Sequence, residues 1–390
     1  MDITMKKLLF ILNEPTYFIS HRLPIAIAAK KEGYEIHVAT GYPNAIPRII
    51  DEGFTYHAIP LSRSGRNVFV EIYSILAIYH LMKKLKPDIT HLVTIKPVIY
   101  GSLAARFAKI PAVVAAVSGL GYAFIDDYLE ARLLRKIISR LYRHAFQHKN
   151  LKVIFQNTDD RDTLIKIGAV KEEQSVLIRG SGVDLNHYKY TEEPSTPPFV
   201  VVMASRLLRD KGVYEYVAAA KLLRDESINA KFLLAGKTDK GNPSSVSQKQ
   251  LSRWSQDKDI EYIGYQDTQI LFQKVHLVVL PSYREGLPRV LAEAAASGRA
   301  IITTDVPGCR AAIVPDKTGL LVNVGDHLSL ARAIMKICSN DSLRHEMSKN
   351  ARLFAEMEFN IVNIVDEHLK IYSLISGDRQ PRTESLLAEE

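Results

Sequence analysis

Four charged side chains fall in two short segments whose neighbours suit a diphosphate and a sugar. Arg206 and Lys211 occur in ASRLLRDKG, Ala204–Gly212, directly after the apolar run FVVVMA. That run reads as a strand, which puts both cations at a strand-to-helix turn. An arginine binds a diphosphate through two hydrogen bonds, and a lysine binds it as a point charge. Glu285 and Glu293 occur in PSYREGLPRVLAEAAASG, Pro281–Gly298, after the apolar run Val275–Leu280. Here the pattern predicts a strand, a loop over Ser282–Gly286, and a helix opened by Leu287 and Pro288. Proline loses nothing at a first helical position, and Gly298 supplies the stop. The first turn of such a helix offers backbone N–H groups and a partial positive charge to a phosphate or a sugar hydroxyl. Glu293 lies in an Ala-rich stretch, where an unpaired carboxylate would be costly. A capped helix with two solvated glutamates is the alternative reading.

The elements that must carry these residues alternate along the chain. Lys7–Leu12, Glu35–Thr40, Ile89–Thr94, Ala112–Val117 and Lys152–Phe155 read as buried strands, with amphipathic stretches such as Ser20–Lys31 and Pro97–Ala108 between them. The run Val68–Met82 reads as a buried helix. The alternation breaks at TEEPSTPP, residues 191–198, and restarts with Phe199–Ala204, Lys231–Ala235, Ile260–Ile263, Leu277–Leu280 and Ala300–Thr303. Strand–helix alternation predicts parallel sheets covered by helices. The expected class is therefore α/β, with two Rossmann-like domains facing an interdomain cleft, where open parallel sheets bind ligands at their strands' carboxyl ends. The expected organisation is an N-terminal domain 1–190, a linker 191–198, a C-terminal domain 199–358, a helix 359–376 packing back on the N-domain, and a frayed tail 377–390.

Composition narrows the class further. The 390 residues are 47% hydrophobic and 24% charged, which is ordinary globular composition. Two cysteines, Cys309 and Cys338, exclude a disulfide framework, and no Cys/His cluster has zinc spacing. No run of about 18 uncharged apolar residues predicts a membrane span. Residues 1–190 hold 26 Lys and Arg against 17 Asp and Glu, whereas residues 191–390 hold 25 against 26. The whole basic excess lies in the N-terminal half, which suits anionic lipid or phosphate-bearing substrates, or simply a solvated surface. Nucleic-acid binding lacks a basic run interleaved with aromatics and any recognisable module.

RLLRDKG followed by EGLPRVLAEAAASG resembles the retaining glycosyltransferases of family 4, which have the GT-B fold. TIKPVIYGSLAARFAKIP (Thr94–Pro111), SGLGYAFID (Ser118–Asp126), LLAGKTDKGNPSSVS (Leu233–Ser247) and TTDVPGCR (Thr303–Arg310) are similar to the subgroup that extends bacterial surface polysaccharides on polyprenyl-diphosphate carriers. The resemblance implies transfer of an N-acetylhexosamine or hexose from a nucleotide sugar, UDP-linked by preference, to a lipid-linked saccharide. It implies that Arg206 and Lys211 hold the diphosphate, that Glu285 meets donor-sugar hydroxyls, that Gly286, Leu287 and Pro288 meet sugar or phosphate through their backbone, and that Glu293 accepts from the ribose. It implies no metal and no cofactor, the cations doing a metal's work. A GT-B sugar-nucleotide epimerase and a non-catalytic polyanion- or membrane-binding protein are the competing readings.

The N-terminal half departs from that pattern. Many members carry a Gly-Gly loop after the first strand; here it is NEPTYFISHR, in which His21 and Arg22 are candidate acceptor contacts. Many carry a histidine after the fifth strand; here Ser118-Gly119-Leu120-Gly121 stands there, and the N–H groups of Gly119 and Gly121 are candidates for the diphosphate. Lys96, Ser118 and Tyr122 complete the candidate acceptor set, with Lys96 either holding an acceptor phosphate or lying on the surface. Leu129–Asn150 reads as an amphipathic helix: Leu133, Leu134, Ile137, Ile138, Leu141, Tyr142, Ala145 and Phe146 form its apolar stripe, and Arg132, Arg135, Lys136, Arg140 and Arg143 its basic side. Such a helix either covers a core or docks on an anionic membrane surface. The expected location is cytoplasmic, peripheral on the inner face of the plasma membrane.

Overall fold

The computed structural model describes residues 5–41, 46–62, 67–121, 124, 129–195, 197–226, 228–239 and 241–377. The chain forms two compact units, Met1–Ile178 with Val362–Glu390, and Arg179–Ile361.

The first unit is built on strands β1 (Lys7–Leu12), β2 (Glu35–Thr40), β3 (Thr55–Ala58), β4 (Ile89–Val93), β5 (Ala112–Val117), β6 (Leu151–Phe155) and β7 (Ser175–Leu177). They form one sheet in the order β3-β2-β1-β4-β5-β6-β7, parallel throughout. Helices α1 (Pro15–His21), α2 (Leu23–Lys31) and α3 (Ile46–Asp51) pack with one face of the sheet. Helices α4 (Val68–Leu85), α5 (Ile95–Ala108), α6 (Leu129–Ala145) and α7 (Thr158–Lys166) pack with the other. Central strands buried on both faces are why LLFIL of β1 and AVVAAV of β5 are continuously apolar rather than alternating. The strands not read from the sequence, β3 (TYHA) and β7 (SVL), are the partly exposed edges of the sheet and lack that signal.

The second unit repeats the plan with β8 (Phe199–Ala204), β9 (Ala230–Ala235), β10 (Glu261–Gly264), β11 (Leu277–Leu280), β12 (Ala300–Thr304) and β13 (Gly319–Val322), in the order β10-β9-β8-β11-β12-β13. Its helices are α8 (Val213–Asp225), α9 (Gln248–Gln256), α10 (Thr268–Phe272), α11 (Arg289–Ala296), α12 (Pro307–Ala311), α13 (His327–Cys338) and α14 (Asp341–Glu358). The last helix, α15 (Ile361–Ser376), lies against the first unit. Its Ile364, Ile371, Tyr372 and Ile375 join the core around β1, β2 and β4.

Two expectations about organisation change. The boundary lies after Ile178 rather than at residue 190. The segment expected to link the domains is instead fixed to the second unit. Arg299, only 1% exposed, donates to the Thr191 carbonyl at 2.7 Å and to its hydroxyl at 2.6 Å. Arg344 donates to both carboxylate oxygens of Glu193, at 3.0 and 2.9 Å from Nε. Glutamate and proline read as solvent-facing only while their partners, more than 100 positions away, are out of view. The outgoing and returning strands of chain run side by side: Val183 N–H donates to the Phe359 carbonyl at 2.7 Å and Ile361 N–H to the Val183 carbonyl at 3.0 Å.

Candidate active site

The carboxyl ends of β8 and β11 bring the two motif segments of the second unit together. After β8 the chain crosses residues 205–211 and enters α8 through Gly212, whose φ is +78°. A Cβ there would stand 2.0 Å from the Pro281 carbonyl oxygen, so only glycine lets the two loops touch. Tyr283 N–H and Ser282 Oγ both donate to the Asp210 carbonyl, at 2.9 and 3.1 Å. The contact pins Lys211 beside Glu285, and the two form a direct ion pair in which both side chains are largely buried. Ser282 Oγ also reaches Glu285 Oε1 at 2.9 Å.

The Glu285 loop is held from behind by TTDVPGCR. A Cβ on Gly308 would lie 2.5 Å from the Glu285 carbonyl oxygen and 2.4 Å from that of Gly286. Next to it Cys309 is fully buried, and burial together with the Glu285 charge pushes its thiol up to about 12. It is therefore a packing residue rather than a nucleophile. Thr304 Oγ1 donates to the Ser282 carbonyl. On the other side Tyr283 OH donates to Glu215 Oε1 at 2.9 Å, and burial and that carboxylate push the phenol up to about 12.

Arg206 is exposed and pairs with Asp239, Nη1 to Oδ2 at 3.0 Å. Its loop is laced to residues 237–246: Leu207 N–H donates to the Lys237 carbonyl at 3.0 Å, and Arg209 N–H to that of Ser244 at 2.7 Å. Pro288 is the N-cap of α11 with an extended backbone, and Arg289 is the first helical residue. The helix thus starts two residues later than its sequence suggests. Gly286 and Pro288 are buried and Leu287 is half-buried beneath that helix start.

Glu293 is 7% exposed and is not a solvated glutamate. Its Oε1 pairs with Arg289 Nε at 2.8 Å and its Oε2 accepts from Thr268 Oγ1 at 2.9 Å. Tyr188 OH lies 2.9 Å from Thr268 Oγ1, and burial with the Glu293 charge pushes that phenol up. Tyr188 and Thr268 carry no motif signal, since their roles depend on where Glu293 ends up. A cavity of about 490 Å³ elsewhere in this unit is lined by Tyr190, Glu193, Arg344 and His345, with Glu193 already paired to Arg344 and His345.

In the first unit the candidate acceptor residues divide. Arg22 is 1% exposed, sits between α1 and α2, and donates to the His21 carbonyl at 2.9 Å. It belongs to the core beneath α15 and not to a substrate surface; its short polar loop concealed that burial. His21 stacks on Tyr17 at 4.0 Å between ring centroids. Lys96 falls inside α5 rather than before it, and its Nζ pairs with Glu71 Oε1 at 2.6 Å. Tyr100 OH donates to the other Glu71 oxygen at 2.8 Å. An internal carboxylate therefore supplies the anion that Lys96 was expected to need from a substrate. Gly119 and Gly121 have φ of +113° and +73°, so the turn itself demands glycine. Ser118 Oγ is buried with no hydrogen-bond partner among the described residues. Tyr122 lies outside the described residues. Thr94, capping α5, has φ +74° and accepts from Asn13 Nδ2 at 3.0 Å; a β-branched residue in that conformation is rare.

No group of three or more His, Cys, Asp or Glu that could hold a metal occurs among the described residues. Asp-x-Asp occurs as Asp160–Asp162 and Asp257–Asp259, and internal pairs engage both. Asp160 bonds Asn157 at 3.1 Å, Asp162 pairs with Arg161 at 2.9 Å, and Asp259 pairs with Arg224 at 2.8 Å.

Both halves of the chain match known protein families. Residues 7–157 match the glycosyl transferase 4-like family and residues 188–354 match glycosyl transferases group 1. The N,N'-diacetylbacillosaminyl-diphospho-undecaprenol alpha-1,3-N-acetylgalactosaminyltransferase of Campylobacter jejuni is 30% identical over 379 residues, covering 92% of this chain and 98% of that protein. The chain is a family 4 glycosyltransferase. The UDP-Gal:alpha-D-GlcNAc-diphosphoundecaprenol alpha-1,3-galactosyltransferase of Escherichia coli is 24% identical, covering 87% of this glycosyltransferase and 89% of that one. Among solved structures, an Anabaena protein in complex with UDP superimposes with a TM-score of 0.75 at 17% identity, over 95% of this chain and all of that one. Sucrose-phosphate synthase of Thermosynechococcus elongatus superimposes with a TM-score of 0.78 at 18% identity, over 95% and 99%. These likenesses show the GT-B fold of this glycosyltransferase.

Proposed function

We propose that this glycosyltransferase moves an N-acetylhexosamine or hexose, with retained anomeric configuration, from a UDP-sugar to a polyprenyl-diphosphate-linked saccharide in bacterial surface polysaccharide synthesis. The observation that carries the reading is the meeting of Lys211 and Glu285 where the ends of β8 and β11 converge, beside the start of α11. A diphosphate arriving there meets the Lys211 ammonium and the Arg206 guanidinium, while Glu285 turns to the sugar hydroxyls. Negative charge grows on the diphosphate as the bond to the sugar breaks. Fixed cations placed where that charge develops lower the barrier by roughly 3–4 kcal/mol per group. Glu293 serves the ribose through the lone pairs that Arg289 and Thr268 leave open.

The reading takes support from the named activities of the Campylobacter and Escherichia proteins, both of which act on diphospho-undecaprenol-linked sugars. No helix among the described residues is long and apolar enough to cross a membrane. A lipid-linked acceptor together with a nucleotide-sugar donor supports a peripheral enzyme at the cytoplasmic face of the plasma membrane, with the basic side of α6 toward anionic lipid. No metal takes part, because the two cations meet the diphosphate.

The test is transfer from a panel of UDP- and GDP-sugars onto lipid-diphosphate sugars, with and without excess EDTA. Product formation unchanged by EDTA is expected. Donor isomerisation without acceptor would replace transfer by epimerisation, and a loss restored only by magnesium or manganese would end the metal-free reading.

A further inference from the structure

Helix α4 does not behave as its sequence suggests. VFVEIYSILAIYHLMKKL is apolar on every side and reads as buried, yet only Ser74, Ile78 and Met82 are. Val68, Phe69, Val70, Ile72, Tyr73 and Leu76 are exposed, Phe69 to 83% and Tyr73 to 62%. The C-terminal half of α4 joins the core with α5, whereas the first nine residues present a broad apolar face to solvent. The one acidic residue of α4, Glu71, is withdrawn from that face by Lys96 and Tyr100.

The same division occurs on α6. Tyr142, Ala145 and Phe146 are buried, while Leu133, Leu134, Ile137 and Leu141 are exposed, Leu133 to 62%. The stripe read from the sequence as one face is therefore half core and half surface. Arg132, Lys136, Arg140 and Arg143 are exposed on the same stretch. Both α4 and α6 pack against α5 on one side of the sheet, and each follows a strand of a wholly parallel sheet. Their first turns therefore lie at the same end of the unit, the carboxyl edge of the strands.

We infer that the first halves of α4 and α6 form one membrane-insertion surface, the apolar side chains entering the acyl boundary and the α6 cations meeting anionic headgroups. The charge pattern selects lipid over a second copy of the chain. A two-fold contact through this face would set the α6 cations of one copy against those of the other, whereas apolar residues flanked by Lys and Arg match an anionic interface. The inference rests on the lipid-linked acceptor proposed above and adds a purpose: the carboxyl edge of the sheet, where ligands of parallel sheets bind, is held at the plane from which a lipid diphosphate projects.

The test uses the full chain with phosphatidylcholine vesicles with and without phosphatidylglycerol. The wild type should co-sediment with the anionic vesicles. The triple variant Phe69→Ser, Ile72→Ser, Leu76→Ser should lose about tenfold or more in partitioning, while its turnover of a short-chain, water-soluble acceptor is retained. In Phe69→Trp, tryptophan emission should shift to the blue on vesicle binding, with buried Trp254 of the second unit as an unchanging background. Equal sedimentation of the triple variant and the wild type would overturn the role of α4. So would a dimer of the wild type that the triple variant makes monomeric, if no vesicle binding accompanies it. The acceptor reading fails separately: it falls if lipid-diphosphate sugars are not glycosylated, whatever the vesicles show.

Discussion

Lys211 and Glu285 stand 74 positions apart in the chain and form one ion pair at the meeting of two loops. Neither side chain is exposed enough for the pair to count as an ordinary surface salt bridge, so removing one partner leaves the other poorly solvated. Lys211→Ala should lower kcat/KM by about 100- to 1000-fold and weaken binding of bare UDP. Glu285→Gln keeps the Ser282 hydrogen bond possible and removes the charge. It should lower kcat while leaving UDP affinity within about twofold. Calorimetry with UDP alone, beside steady-state kinetics, separates them, and equal loss of UDP affinity in both would assign Glu285 to the diphosphate rather than the sugar.

Glu293 carries two duties that substitution can divide. Glu293→Ala removes the partner of Arg289 and Thr268, so thermal stability should drop by roughly 1–2 kcal/mol along with UDP affinity. Glu293→Gln can still accept from Thr268 and should regain most of the stability but not the affinity. Wild-type UDP binding by a folded Glu293→Gln variant would remove the ribose from its role and leave the internal network alone.

Gly308 controls the Glu285 loop without facing the substrate. Alanine there must displace the backbone of Glu285 or Gly286. Gly308→Ala should cost about tenfold or more in kcat, since a misplaced group loses its alignment with the reacting centre. Little change in bare-UDP affinity is expected, because Lys211 and Arg206 remain. Unchanged kcat in Gly308→Ala would show that the loop adjusts freely.

The docking of α15 should be sensitive to acid. Tyr372 OH lies 2.5 Å from His91 Nδ1, and His368 stacks on His91 at 5.6 Å. Burial, then the Arg22 charge, holds His91 well below its ordinary value and His368 at about 3. Arg22 is itself pushed down by burial, with Tyr17 and Tyr372 opposing. The folded state thus refuses protons that the unfolded histidines accept below 6.5. For His368 the stabilisation is complete above 6.5 and declines as the pH falls toward 3, and His91 acts in the same direction. Hydrogen-exchange protection factors across Ile361–Ser376 should fall between pH 7 and pH 5, and less so in His368→Phe. Equal falls in the two proteins would acquit His368.

How much of this was readable beforehand follows from the range of the forces involved. Strand positions such as Ala112–Val117, Phe199–Ala204 and Leu277–Leu280 were legible to the residue, because a strand buried on both faces must be apolar along its whole length. The motif residues Arg206, Lys211, Glu285 and Glu293 were legible because loops at strand ends and helix starts leave local signatures of charge, glycine and proline. The pairing of Lys211 with Glu285 could not be read, since it depends on how β8 and β11 lie side by side. The same holds for Lys96, whose counter-charge is Glu71 on another helix, and for Arg22, a cation buried between Tyr17 of α1 and Tyr372 of α15. Helix α4 shows the limit most clearly. Its composition promised a core helix, but hydrophobicity along one segment says only that it will leave water if something covers it, and the tertiary structure covers half.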